Sequence, residues 1–217
     1  MPEGDILIHA GDFSAYSTAK ELEKINGWFG TLPYKKIFLV PGNHDGEFSS
    51  RYEQSIKAMT NATVLLDEAF EYEGYKIYGT PWCNQFGTWW FMTNEKALQE
   101  AWAKIPDDTD ILITHQPPYD ILDHVYRGHA GSVSLREAVL ERVKPKLHVF
   151  GHLHLDGGQT SRKNGTIFVN AAMCDEEYAI HRKPVVILLG QEQGLKNLTE
   201  LTEEFGGYEK ELQKTDK

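Results

Sequence analysis

The sequence predicts an α/β layered domain, and two observations carry that expectation. Short apolar runs rich in β-branched residues recur along the chain, among them ILIH, IFLV, ILIT and LHVF, and each closes on turn residues. Segments with apolar residues at helical spacing separate several of these runs, and alternating strands and helices build layered α/β domains. Because the runs are continuously apolar rather than alternating, their strands should be covered on both faces.

In chain order, strands are expected at 6–9, 37–40, 64–66, 76–78, 111–114, 147–150, 166–169 and 185–189. The first helix is expected over 17–29, where Ala19, Leu22, Ile25 and Trp28 share one side. Ser17 or Thr18 would cap it, with Glu21 completing a capping box from Thr18. Further helices are expected over 48–59, 94–103 and 134–143, the last opened by SLRE, a second capping-box pattern at Ser134 to Glu137.

The chain has 217 residues, 22 basic against 32 acidic, for a net charge of -10. Its 41% hydrophobic and 25% charged residues exclude a disordered or fibrous class. No linker or repeat divides it, so residues 1–190 should form one domain and the Glu- and Lys-rich 191–217 a charged tail or helix. Net acidity argues against a stable nucleic-acid complex, which rests on basic residues neutralising phosphates. No stretch approaches the roughly 18 apolar residues of a membrane span. The opening residues lack a secretory pattern, and Cys83 and Cys174 form no disulfide framework; both point to a cytoplasmic protein.

The chemistry collects in four short motifs at strand ends, where layered α/β sheets place their ligands. Gly11-Asp12 puts a carboxylate at a tight turn. Gly42-Asn43-His44-Asp45 offers an amide oxygen, an imidazole and a carboxylate in succession. Thr114-His115 is stiffened by the prolines of QPP, and Gly151-His152-Leu153-His154 sets two imidazoles two residues apart. Mixed oxygen and nitrogen donors without a thiolate suit Mn²⁺, Fe or Zn²⁺ better than Mg²⁺.

The ordered series GD, GNHD, TH and GHLH resembles the calcineurin-like metallophosphoesterase superfamily. YGTPW, ILITHQPP and KLHVFGHLH are similar to its metallophosphoesterase-domain-containing phosphodiesterase branch. The resemblance runs from about Gly4 to Leu189. It implies a sandwich of two β-sheets flanked by helices (α/β/β/α) around a two-metal site. Asp12 matches the carboxylate that bridges the metals; Asn43, His115 and His152 match ligands of the second metal, and His154 a ligand of the first. His44 matches the histidine that assists the leaving oxygen, and Asp45 its partner. The implied activity is hydrolysis of phosphodiesters, cyclic nucleotides included, by a metal-activated hydroxide, with Mn²⁺ the favoured ion.

The sequence departs from this family in one respect. The DxH motif of an earlier strand, which supplies two ligands to the first metal, is missing, so the first metal position should be weak, water-filled or empty, and one or two ions per chain are expected. The absent N-terminal strand should also expose a sheet edge, which a homodimer would cover. The rival reading is a catalytically weak or inactive phosphate- or nucleotide-binding protein that keeps one metal site. On the substrate side, Arg127 and His129 follow the THQPP turn, Arg127 having the planar fork that matches phosphate. Among Trp82, Trp89, Trp90 and Phe91, one could stack on a nucleobase, although core packing is the commoner use of such residues. A serine or cysteine hydrolase built on Ser132 or Cys174 lacks any nucleophile-elbow sequence.

Overall fold

A computed structural model describes residues 1–16, 18–189 and the pair Lys196–Asn197. A parallel three-stranded sheet places Lys36–Leu39 between Ile6–His9 and Thr63–Val64. A six-stranded sheet runs in the order Thr160–Lys163, Thr166–Asn170, Leu147–Phe150, Ile111–Thr114, Tyr75–Thr80, Glu68–Tyr72. Its four inner strands are parallel, and the two outer strands return as antiparallel hairpins. Both hairpins close through two residues of positive φ, Glu73-Gly74 and Asn164-Gly165, the backbone that two-residue turns demand.

Strict alternation along the strands separates three apolar layers. Phe38, Val40, Ile77, Ile111, Ile113, Leu147, Val149, Ile167 and Val169 point between the sheets. Ile37 and Leu39 face the other way, toward Leu22, Phe29 and Met59 of the helical layer. On the far side, Tyr78, Leu112, Phe150 and Phe168 pack under Leu98, Trp102, Leu135 and Val139. The result is helix, sheet, sheet, helix, as the resemblance implies.

The capping box of Thr18 and Glu21 starts the helix Ala19–Phe29. The helix expected over 48–59 is two pieces, Glu47–Ser50 and Tyr52–Ala58, broken where Arg51 leaves helical angles at φ -138° and ψ 47°. Ser134 is not the cap of the later helix. Ser132 caps it, accepting from the Leu135 N–H, and the helix continues as a π-helical segment, Ala138–Val143, that ends on left-handed Lys144.

The strand Ile6–His9 is the outer member of its sheet and half-buried along its length. Beside it, Val185, Ile187 and Leu189 close the inter-sheet core together with Ile6 and Ile8. The strand expected at 185–189 shortens to Ile187–Leu188, paired antiparallel with Lys196–Asn197. The remainder of the expected 191–217 tail lies outside the described residues. Among the described residues, no helix is long and apolar enough to cross a membrane.

Candidate metal centre

Parallel strands deliver their C-terminal turns to one end of the sandwich, and four of those turns meet there. Ile6–His9 leads to Gly11-Asp12, Lys36–Leu39 to the Gly42–Asp45 turn, Ile111–Thr114 to His115, and Leu147–Phe150 to Gly151-His152. Ligand atoms of Asp12, His115 and His152 all lie within 4.8 Å of one another. His115 Nε2 stands 3.3 Å from Asp12 Oδ2 and 3.0 Å from Asn43 Oδ1.

The other ring nitrogen fixes what this means. His115 Nδ1 sits 2.8 Å from the Ala10 carbonyl oxygen, an acceptor only, so Nδ1 carries the proton and donates it. In the neutral imidazole, the Nε2 lone pair then faces two oxygen acceptors, an arrangement that positive charge stabilises. A proton or a metal cation supplies it, and a backbone carbonyl orienting the far nitrogen is the usual support of a metal-ligating histidine.

The turns allow no side chain where they cross. A Cβ on Gly42 would come within 2.3 Å of Asp12 Oδ1 and 2.6 Å of His115 Cε1; one on Gly11, at φ 102°, would meet His115 Nδ1 at 2.4 Å. Asp12 and His152 themselves adopt left-handed angles, φ 56° and 67°, which non-glycine residues hold only when surroundings enforce them. Asp45 provides much of that enforcement. Wholly buried, it accepts from the Asp12 and Gly42 N–H groups, both at 2.8 Å, and from the Ser14 N–H and hydroxyl.

Charge is distributed unevenly over this cluster. Burial alone would raise the Asp12 carboxyl, but the His115 charge and hydrogen bond and the His44 N–H hold it well below the usual carboxylate range. Burial opposes protonation of His115, yet Asp12 outweighs it and raises that imidazole. Burial, then the neighbouring His115, push His152 down to about 3, leaving it a neutral ligand. Burial and the Asp12 charge push Asp45 up to about 7, against the pull of its Gly42 and Ser14 donors.

The remaining sequence-derived candidates fall in different places. His44 donates its backbone N–H to Asp12 Oδ1 at 2.9 Å, and its ring packs on Trp89 with centroids 4.3 Å apart. Asp45, expected as the partner of His44, serves as the clasp between the GD and GNHD turns. His154 lies outside the three-residue group, its Nδ1 2.7 Å from the Asp175 carbonyl oxygen. Arg127 occupies the exposed turn between His124–Val125 and Gly128–His129, while His129 borders a cleft with Tyr119. Trp82 and Phe91 are packing residues, in contact with each other and with the apolar layer beneath the first sheet. Ser132 is buried as a helix cap bonded to Trp102 and Glu95, and Cys174 is half-buried, its thiol pushed up by burial and the Asp175 charge, so neither is poised as a nucleophile. Composition gave no warning of two features: Phe86, 63% exposed, rests on His152, and the Trp90 ring fills the space beside Gly46.

The calcineurin-like phosphoesterase family profile matches residues 2–156, a span that includes Asp12, Asn43, His115 and His152. The chain belongs to the calcineurin-like phosphoesterase family. It is 38% identical over 213 residues to human metallophosphoesterase domain-containing protein 1, covering 86% of this chain but only 65% of that protein. A UPF0046 protein of Caenorhabditis elegans is 36% identical over 210 residues, with 86% and 73% covered. Among solved structures, the Thermus thermophilus sulfate thiohydrolase SoxB superposes with a TM-score of 0.53 at 16% identity, over 88% of this chain and 38% of that one, a likeness of fold. Membership of the family implies a divalent metal, and Asp12, His115 and His152 form the group able to hold it.

Proposed function

We propose that the protein is a divalent-metal-dependent phosphoesterase that hydrolyses phosphodiesters, cyclic nucleotides among the candidate substrates, with Mn²⁺ as the preferred ion. One observation carries the reading: His115 Nε2, Asn43 Oδ1 and Asp12 Oδ2 crowd one another with no donor between them, beside neutral His152. A carboxylate, an amide oxygen and two imidazoles suit Mn²⁺, Fe or Zn²⁺. When bound, such an ion lowers the pKa of coordinated water and neutralises charge on a phosphoryl group.

The chain's own residues supply the rest. Asp12 and His115 are oriented by Asp45 and by the Ala10 carbonyl, so the cation-binding geometry is set before any ion arrives. His44, tied to Asp12 through its backbone and held against Trp89, is the group for donating a proton to the departing ester oxygen. Arg127 and His129 lie on the hairpin beside the cleft and are the candidates for contact with the substrate's phosphate or its substituent.

A second reading has its own support. His154 does not join the Asp12, His115 and His152 group, so the ligand side chains gather around one ion position. That favours a single-metal phosphate-binding protein of low activity. Hydrolysis of bis(4-nitrophenyl) phosphate with added Mn²⁺, compared with a folded His115→Ala variant, separates the two. Turnover that the variant lacks supports the phosphoesterase; Mn²⁺ binding without turnover supports the binding protein.

A further inference from the structure

Two histidines that the metal centre does not use face each other on a hairpin. His124–Val125 pairs antiparallel with Gly128–His129, and His124 is directly opposite His129. Residues so paired project from the same face with Cβ atoms about 5 Å apart. Their rings are 4.4 Å apart, centroid to centroid, and tilted by 44°.

Each ring is held from behind by a carboxylate. His124 Nδ1 lies 2.7 Å from Asp156 Oδ2, and His129 Nδ1 lies 2.6 Å from Asp123 Oδ1. Both carboxylates are buried and fixed by backbone donors: the Gly131 N–H to Asp123 Oδ2 at 2.8 Å, and the His124 N–H to Asp156 Oδ2 at 2.9 Å. A carboxylate accepts at Nδ1, so in each neutral imidazole Nδ1 keeps the proton and Nε2 presents its lone pair. Paired imidazoles with carboxylate-bound Nδ1 atoms are the outer-shell arrangement of metal-ligating histidines. Close by, Asp120 accepts at Oδ2 from Arg136 at 2.6 Å, and its Oδ1 lies 3.9 Å from His129 Nε2.

We propose that His124 and His129 form a second cation site, distinct from the Asp12 centre, that takes a borderline divalent ion such as Zn²⁺ or Ni²⁺ through their Nε2 atoms. Imidazole donors select those ions over Mg²⁺ and Ca²⁺, which prefer oxygen. Two protein nitrogens leave the remaining coordination positions to water or to a ligand. The site borders a cleft of about 620 Å³ lined by His129, Tyr119, Asn84 and Glu95, so an ion there puts positive charge at the cleft of an acidic chain.

Metal content tests this without reference to activity. Equilibrium dialysis of the full chain against Zn²⁺ should give one more ion per chain for the unaltered protein than for the His124→Asn/His129→Asn variant. The remaining sites should be unchanged, and unfolding temperatures in chelator should show both chains folded. His129→Cys, which keeps a zinc ligand at that position, should restore the ion, a rescue that a purely structural role does not predict. In the unaltered protein, imidazole ¹⁵N resonances of His124 and His129 should move as the second equivalent of Zn²⁺ is added. Equal Zn²⁺ binding in the folded double variant overturns the proposal, and so do unmoved resonances.

Discussion

His115 and His148 are both fully buried, on neighbouring parallel strands of the six-stranded sheet, and their environments drive them in opposite directions. His115 stands just past its strand's end, with Asp12 and Asn43 before it, and is pushed toward protonation despite its burial. His148 lies within its strand, facing the helical layer between Phe150 and Phe168, and burial pushes it down to about 3. Its Nε2 meets the Thr114 hydroxyl at 2.8 Å, while Nδ1 has no hydrogen-bond partner. A buried histidine at the end of a sheet is therefore uninformative by itself. What faces it decides between cation site and core.

The largest way to break this contrast is substitution at the metal centre. His115→Ala should lower kcat/KM for a phosphodiester by more than about 10²-fold, beyond the 10–100-fold usual for outer-shell losses. His148→Leu should leave Mn²⁺ affinity unchanged in calorimetric titration. Equal losses in the two variants would mean that the contrast between them is wrong. His44→Ala should cost about 10² to 10⁴ in turnover of an unactivated diester, the range of general-acid catalysis, and far less for a nitrophenyl ester whose leaving group needs no proton. Trp89→Ala, which removes the ring packed on His44, should show a smaller loss with the same leaving-group dependence.

Asp45 gives the next effect in size. Asp45→Asn keeps one acceptor oxygen but turns an NH₂ toward donors from Asp12, Gly42 or Ser14, leaving buried groups unsatisfied. The expected cost is about 1–3 kcal/mol in urea unfolding. Weaker Mn²⁺ binding should accompany it, because the variant loosens the left-handed turn at Asp12. Stability lost with Mn²⁺ affinity intact would mean that Asp45 braces the fold without positioning the ligand.

Much of this was legible in the chain. The strands spelled ILIH, ILIT and LHVF fall where their apolar runs put them, while the run at 185–189 yields only Ile187–Leu188, and GD, GNHD, TH and GHLH do meet at one end, because parallel strands deliver their C-terminal turns to the same side. Edges were less legible. Glu68–Tyr72 spells EAFEY and is largely exposed, so it lacks the apolar run that marked the others, although Asn164-Gly165 was a readable hairpin signal. The break at Arg51 and the π-helical Ala138–Val143 depend on packing that local spacing does not encode. His154 was placed two residues from His152 on the assumption of an extended loop. His152 is left-handed rather than extended, and His154, its Nδ1 2.7 Å from the Asp175 carbonyl oxygen, stands outside the Asp12, His115 and His152 group.

The smallest prediction sharpens the comparison through pH. His148 has a folded pKa near 3, against 6.5 for an ordinary imidazole. Above 6.5 it is neutral in both folded and unfolded chains and adds no pH dependence. Below 6.5 the unfolded chain takes up a proton that the folded chain refuses until about pH 3, so the native state loses stability as pH falls through that window. The loss approaches about 1.4 kcal/mol per pH unit for this one group. His148→Leu removes the group, so its urea-unfolding free energy in chelator should fall less between pH 6.5 and 5.5 than that of the unaltered chain, by about 1 kcal/mol, since the unfolded imidazole is only half protonated at the upper end. Near pH 7.5 the two should be close, since the substitution removes one hydrogen bond and one unpartnered lone pair together. Parallel pH profiles would mean that His148 reaches protons in the native state. It would then lie in a site open to solvent, on the same side of the comparison as His115.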